Sequence, residues 1–293
     1  MKLKHLITSL ALGFAAISAS ATPLDALNGN LNIKLTGLTT ESNRSAGTNE
    51  TTWGVGSITS ISGTGGQQWF QGASDGSYLY YMIYGIADQN IVFDSTTGKF
   101  SIYNIGATGG AADGEIHLDI YRSNTNLLQL TSDFNASPSQ RTGYDSFSLF
   151  AGMEKYLEVV FGTGKQLTDV AGGTNPGADE RLATLTQTAT AATLPAAGEG
   201  QFFGDVVGGT AAAQWNTNGQ FGHDLDGKFT LSTNGSQFGS GTCSPAQVAN
   251  NTCFTGLIND PIRANKVPEP GSLALLGLGF AGLAGLRRRK AAK

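Results

Sequence analysis

The chain has 293 residues, 18 basic and 22 acidic, with 41 glycines and two cysteines. Seven basic residues sit near the termini (Lys2, Lys4, Arg287 to Lys290 and Lys293), so Thr22 to Pro270 sets 11 basic against 22 acidic residues, a net of −11. Such a field disfavours nucleic acid and anionic membrane surfaces, and it favours solubility and divalent cations.

Met1 to Ala21 reads as a secretory signal peptide. Lys2 and Lys4 supply a positive start, Leu6 to Ile17 an apolar stretch too short for a span, and Ala19 and Ala21 the small residues a signal peptidase reads. Cleavage is expected before Thr22.

The following stretch, 22–262, is expected to be one exported β domain. Short alternating runs between Gly- and Asn-rich turns dominate, and long helix-period patterns are scarce. An all-β, antiparallel sandwich-like fold is the expected class. Strands are predicted over Asn30 to Leu35, Thr51 to Ile61 and the aromatic run Tyr78 to Ile86, which reads as a central strand. Ile91 to Phe93 and Lys99 to Ile105 flank a hairpin turn ending in Gly98. Just before Tyr78 lies Gly72-Ala73-Ser74-Asp75-Gly76, which matches G-x-S-x-G. That nucleophile motif needs a helix after it, and a strand follows here, so the segment reads as a turn.

Glu115 to Tyr121 alternates cleanly. Ile116, Leu118 and Ile120 face one way, and Glu115, His117, Asp119 and Tyr121 the other. With Asp113, the second set has the chemistry for a divalent ion or acid/base work. The expectation is a water-facing stripe. Glu115 and Asp119 are separated by roughly 13 Å along a strand, beyond the roughly 5–9.5 Å of a glycosidase pair.

Further strands are predicted over Tyr156 to Phe161, Gly200 to Val207 and Lys228 to Ser232, with Asn218-Gly219 and Asn234-Gly235 as turn dipeptides. Asp169 to Gly177 reads as a loop, and Ala178 onward as the start of a short helix. Asp224-Leu225-Asp226-Gly227 has part of a calcium loop without its later Glu. Trp53, Trp69, Tyr80, Tyr84 and Trp215 are the rings with the chemistry to stack on sugars, and most are expected in the core. Cys243 and Cys253, with nine residues between them, are expected to form a disulfide in an oxidising compartment. No catalytic, cofactor-binding or metal-ligating residue is assigned.

Arg263 to Lys266 reads as a linker. After it, Val267-Pro268-Glu269-Pro270 is rigid and helix-averse. Ser272 to Leu286 is an uncharged 15-residue apolar run, and Arg287, Arg288, Arg289 and Lys290 form a basic stop. The run is short for a membrane helix, but snorkelling arginines and flanking residues extend it, and the basic cluster belongs on the cytoplasmic side. This ordered trio over 267–293 resembles a PEP-CTERM sorting signal. The resemblance implies a Gram-negative bacterium that makes extracellular polysaccharide. It also implies transient residence in the inner membrane and an exosortase that removes the tail near Pro-Glu-Pro. The expected role is a non-enzymatic surface or matrix protein associated with exopolysaccharide, biofilm or floc. A carbohydrate-binding module is the alternative, and a polysaccharide-acting hydrolase a weaker one. No cofactor is expected.

Overall fold

The computed structural model describes residues 21–40, 47–95, 99–127, 138–164, 181–186, 198–232 and 256–268. Its strands are β1 (Gly29–Thr40), β2 (Thr52–Gly63), β3 (Gln68–Phe70), β4 (Tyr78–Asp94), β5 (Lys99–Gly106), β6 (His117–Ser123), β7 (Glu154–Gly162), β8 (Leu182–Thr186), β9 (Gly198–Gly208), β10 (Leu225–Ser232) and β11 (Gly256–Lys266). A single helical turn, α1 (Ala212–Trp215), follows β9.

Eight strands close on themselves in the order β2-β1-β11-β10-β9-β7-β6-β4, and the β2–β4 pairing completes an antiparallel barrel. β3 extends β2, while β5 and β8 form a second bridge between β4 and β9. The expected all-β class holds, but the architecture is a barrel with extra strands and not a sandwich. Alternation reports one buried face per strand, which both architectures share. The β2–β4 closure is a long-range pairing that alternation does not encode.

β4 serves both bridges. Its first half, Tyr78 to Tyr84, pairs with β6, and from Ile86 it pairs with β5. The change of partner falls at Gly85, whose φ is 79°. A Cβ there would lie 2.4 Å from the Glu115 carbonyl oxygen and 2.6 Å from the Tyr144 hydroxyl, so only glycine fits. Arg181 sits at the matching seam, donating to the Phe161 carbonyl at 2.6 Å and pairing with Glu115.

The inward set includes Leu31, Ile33, Leu79, Tyr81, Leu118, Ile120, Val159, Phe161, Phe202 and Ile262, one contiguous apolar cluster. Phe161 and Phe202 stack at 4.0 Å. The central cavity is about 20 Å³ and lined by apolar side chains, room for no more than a water. The barrel interior is therefore a packed core.

A second apolar cluster lies outside the wall. Tyr144, Phe147 and Phe150, from a strap over residues 138–153, pack on Trp53, Val55, Tyr80, Met82, Tyr84 and Tyr121 of β2, β4 and β6. Arg141 anchors the strap. Its guanidinium meets both carboxylate oxygens of fully buried Glu50, at 2.5 and 3.1 Å, and lies 4.8 Å from the centre of the Trp53 ring. Glu50 in turn accepts the Gly85 N–H at 2.7 Å.

Three expectations change at the ends of elements. The segment expected to open a helix near Ala178 carries β8 over Leu182–Thr186, because its backbone is taken up by the free edges of β5 and β9. Arg263 to Lys266, expected as a linker, complete β11, with Lys266 opposite Gly29 of β1. β3 was not foreseen because three residues give no period to read. The loop at 169–177 and Asn234-Gly235 lie outside the described residues.

Candidate functional site

Two places bring together residues that the sequence singles out. The first is the pole where the described part of the chain begins and ends. Lys266, the last residue of β11, is 1% exposed. Its ammonium donates to the Leu24 carbonyl at 2.9 Å and the Asp25 carbonyl at 3.0 Å, and lies 5.9 Å from the centre of the Trp215 ring. Buried charge is tolerated when hydrogen-bonded in this way. The Thr22 N–H donates to the Gln68 carbonyl at 2.5 Å, and the Val267 N–H to the Gln214 carbonyl at 2.8 Å. Asp75 closes the pole from the other side. Its carboxylate accepts the Leu24 N–H at 2.8 Å, the Ser77 N–H at 2.9 Å and the Trp69 indole N–H at 3.3 Å. Burial by itself raises this carboxyl, but the bonds from Ser77, Leu24 and Trp69 outweigh it and hold it below the ordinary range. The G-x-S-x-G segment is thus a turn whose aspartate holds the backbone at Leu24.

Val267 and Pro268 are exposed, immediately beyond the latch. Ala21 is described at the other end. Ala19, Glu269, Pro270, the apolar run 272–286, Arg287 to Lys290, and Cys243 with Cys253 lie outside the described residues. No helix among the described residues is long and apolar enough to cross a membrane.

The second place is the outer face of β6. The expected water-facing stripe is covered: His117 is 7% exposed and Asp119 is fully buried. The Tyr84 ring lies flat on His117, with centres 4.8 Å apart and planes at 9°, and the strap's Tyr144 abuts Tyr84 edge-on at 5.2 Å. His117 Nε2 meets Asp113 at 3.1 Å. Asp119 Oδ2 accepts the Tyr84 hydroxyl at 3.2 Å, the Tyr121 hydroxyl at 3.3 Å and the Lys155 ammonium at 2.8 Å. Glu158, directly opposite Asp119 on β7, lies 3.9 Å from the same ammonium. Burial raises the Asp119 carboxyl even against Lys155, whereas Asp113 is held low because the bonds from His117 and the Glu115 N–H outweigh its partial burial. For Lys155, burial acts to lower the ammonium, and the Asp119 partner overrides it to raise it. Glu115 does not join this group; it turns to Arg181. The sequence places His117 and Asp119 on one face, but Glu158 and Lys155 arrive only through the β6–β7 register.

The other candidates are structural. Asp224 is 1% exposed and accepts the N–H groups of Val206, Thr217 and Asn218, so its carboxylate holds the turn at Asn218-Gly219. Trp53, Trp69, Tyr80, Tyr84 and Trp215 are all at most 3% exposed and present no face to a sugar ring. A surface groove of about 440 Å³, bordered by Arg122, Asn124, Leu127, Met153 and Glu154, has no aromatic ring among its described lining residues.

Residues 266–290 match the family model of the PEP-CTERM protein-sorting motif. No curated protein and no solved structure matches the chain significantly. The motif implies an exported, cell-surface-sorted protein that an exosortase processes.

Proposed function

We propose that the chain is a non-enzymatic structural protein of the cell surface or extracellular matrix of a Gram-negative bacterium, associated with extracellular polysaccharide in biofilm or floc. The observation that carries this reading is the sorting motif joined directly to the last strand of a barrel whose interior is filled with side chains. Signal peptidase and the export machinery deliver the domain, the apolar run holds it transiently in the inner membrane, and the exosortase removes the tail. Cys243 and Cys253 then close a disulfide outside the cytoplasm, where thiols oxidise. The carbohydrate-binding alternative loses support, because the five rings it drew on are buried.

Intact-mass measurement of the native protein from cell surface and medium tests the reading, alongside a deletion of Val267 to Lys293. The expected result is a chain that starts at Thr22, lacks the tail and is two hydrogens lighter than its reduced form, with surface retention lost in the deletion. A cytosolic protein with both ends uncut, or retention unaltered by the deletion, overturns it.

A further inference from the structure

We propose that His117, Asp119 and Glu158 form a binding site for a divalent cation of the zinc class, with Asp113 as its positioning residue. One ligand atom from each of the three lies within 4.8 Å of the other two. The site is independent of the sorting tail.

The chemistry of the donors supports this assignment. Both Asp113 carboxylate oxygens lie 3.1 Å from His117 Nε2, and a carboxylate only accepts, so Nε2 carries the proton in their contact. The lone pair then resides on Nδ1, which is buried and has no hydrogen-bond partner among the described residues. Among the described residues Asp119 Oδ1 is also buried without a partner, while Oδ2 takes the Tyr84, Tyr121 and Lys155 donors. Two lone-pair acceptors withheld from water cannot satisfy one another. A cation satisfies both. A carboxylate behind a histidine whose other nitrogen faces the ligand is the usual support for a metal-bound imidazole. The Tyr84 ring holds the imidazole plane in place.

Glu158 and Lys155 give the approach, each with a side chain 36% exposed. Lys155 is the competing cation, and its flexible stem allows it to swing to solvent. Bonds of roughly 2.0–2.2 Å draw the ligand atoms in by roughly 1–1.5 Å, within reach of a rotamer change at Glu158. One imidazole nitrogen and two carboxylate oxygens suit Zn²⁺ or Co²⁺ better than Ca²⁺ or Mg²⁺, which take oxygen ligands.

The test uses the native exported protein, stripped with a chelator and titrated with Co²⁺ and then Zn²⁺. One Co²⁺ per chain with visible ligand-field bands, displaced by Zn²⁺, is expected. His117→Gln should abolish uptake, and Asp113→Asn should weaken it by about 10–100-fold. Lys155→Met should tighten uptake by removing the competitor. A purely structural ion pair predicts the opposite for Lys155→Met, a less stable protein with no metal uptake. The proposal fails if neither the native protein nor Lys155→Met takes up stoichiometric Zn²⁺ at millimolar free metal. It also fails if Asp113→Asn and His117→Gln bind as the native protein does, or if Ca²⁺ competes equally with Zn²⁺.

Discussion

The Lys266 ammonium donates to the Leu24 carbonyl oxygen at 2.9 Å, joining positions 242 residues apart. Both ends of the described part of the chain therefore lie at one pole. The Pro-Glu-Pro stretch follows that pole with only Val267 between. A protease needs an extended, unpaired backbone, and every residue of β11 up to Lys266 is paired with β1 over Gly256 to Lys266. The processed protein should thus end at or after Val267. Mass spectrometry of the mature C-terminus checks this, and a dominant species ending at or before Lys266 contradicts it.

Replacing Lys266 with Met keeps the apolar stem but removes both bonds. The Leu24 carbonyl loses a donor in a buried setting, at a cost of about 1–3 kcal/mol. Urea denaturation should show a lower midpoint with an unchanged slope. An unmoved midpoint would mean that the latch adds nothing to stability.

Arg141→Met strips the guanidinium from Glu50, which is fully buried. Removing one partner of a buried ion pair typically costs about 3–5 kcal/mol. The strap should loosen with it, so amide exchange over 141–153 should rise more than exchange over β1 and β11. Uniform exchange across the chain argues against the strap as a separate unit.

Asp75 sets part of the acid response. Its carboxyl is held below the ordinary value in the folded chain. The stabilisation it supplies is complete above about pH 4 and is lost as pH falls through the lowered folded value. Asp75→Asn should be less stable than the native protein at neutral pH and lose less on acidification below about pH 4. Parallel stability–pH curves for the two proteins would rule this out.

Gly37 and Gly56 face each other across β1 and β2 beneath the Tyr81 ring. A Cβ on Gly56 would lie 2.2 Å from the Thr36 carbonyl oxygen and 2.6 Å from both the Gly37 Cα and Tyr81. Gly56→Ala should destabilise by about 1–3 kcal/mol through overpacking. Thermal unfolding measures this, and a neutral result would show that the wall relaxes freely.

Much of the strand content was legible in the sequence. The runs at Asn30, Tyr78, Lys99, Tyr156, Gly200 and Lys228 fall within strands, and the run from Thr51 overlaps β2 from Thr52 on, because a half-buried strand repeats every two residues. The inward set Leu118 and Ile120 was legible for the same reason. β8 escaped because its Thr- and Ala-rich residues fit a helix start as well as a strand, and only the free edges of β5 and β9 decide between them. The stripe at His117 and Asp119 was legible as a set, but not as a buried one. Its cover comes from Tyr144 and Phe150, whose docking depends on Arg141 finding Glu50 across 91 positions.

By itself, then, the sequence determined the ordered trio at Val267 to Lys290 and the class of local backbone, since both rest on neighbours within a few residues. Tertiary structure alone decided that the sheet closes through β2 and β4, that Glu158 meets Asp119, and that Lys266 is a latch and not a linker. Those outcomes rest on pairings between distant segments, where geometry in space, and not adjacency in the chain, sets which groups share a low-dielectric environment.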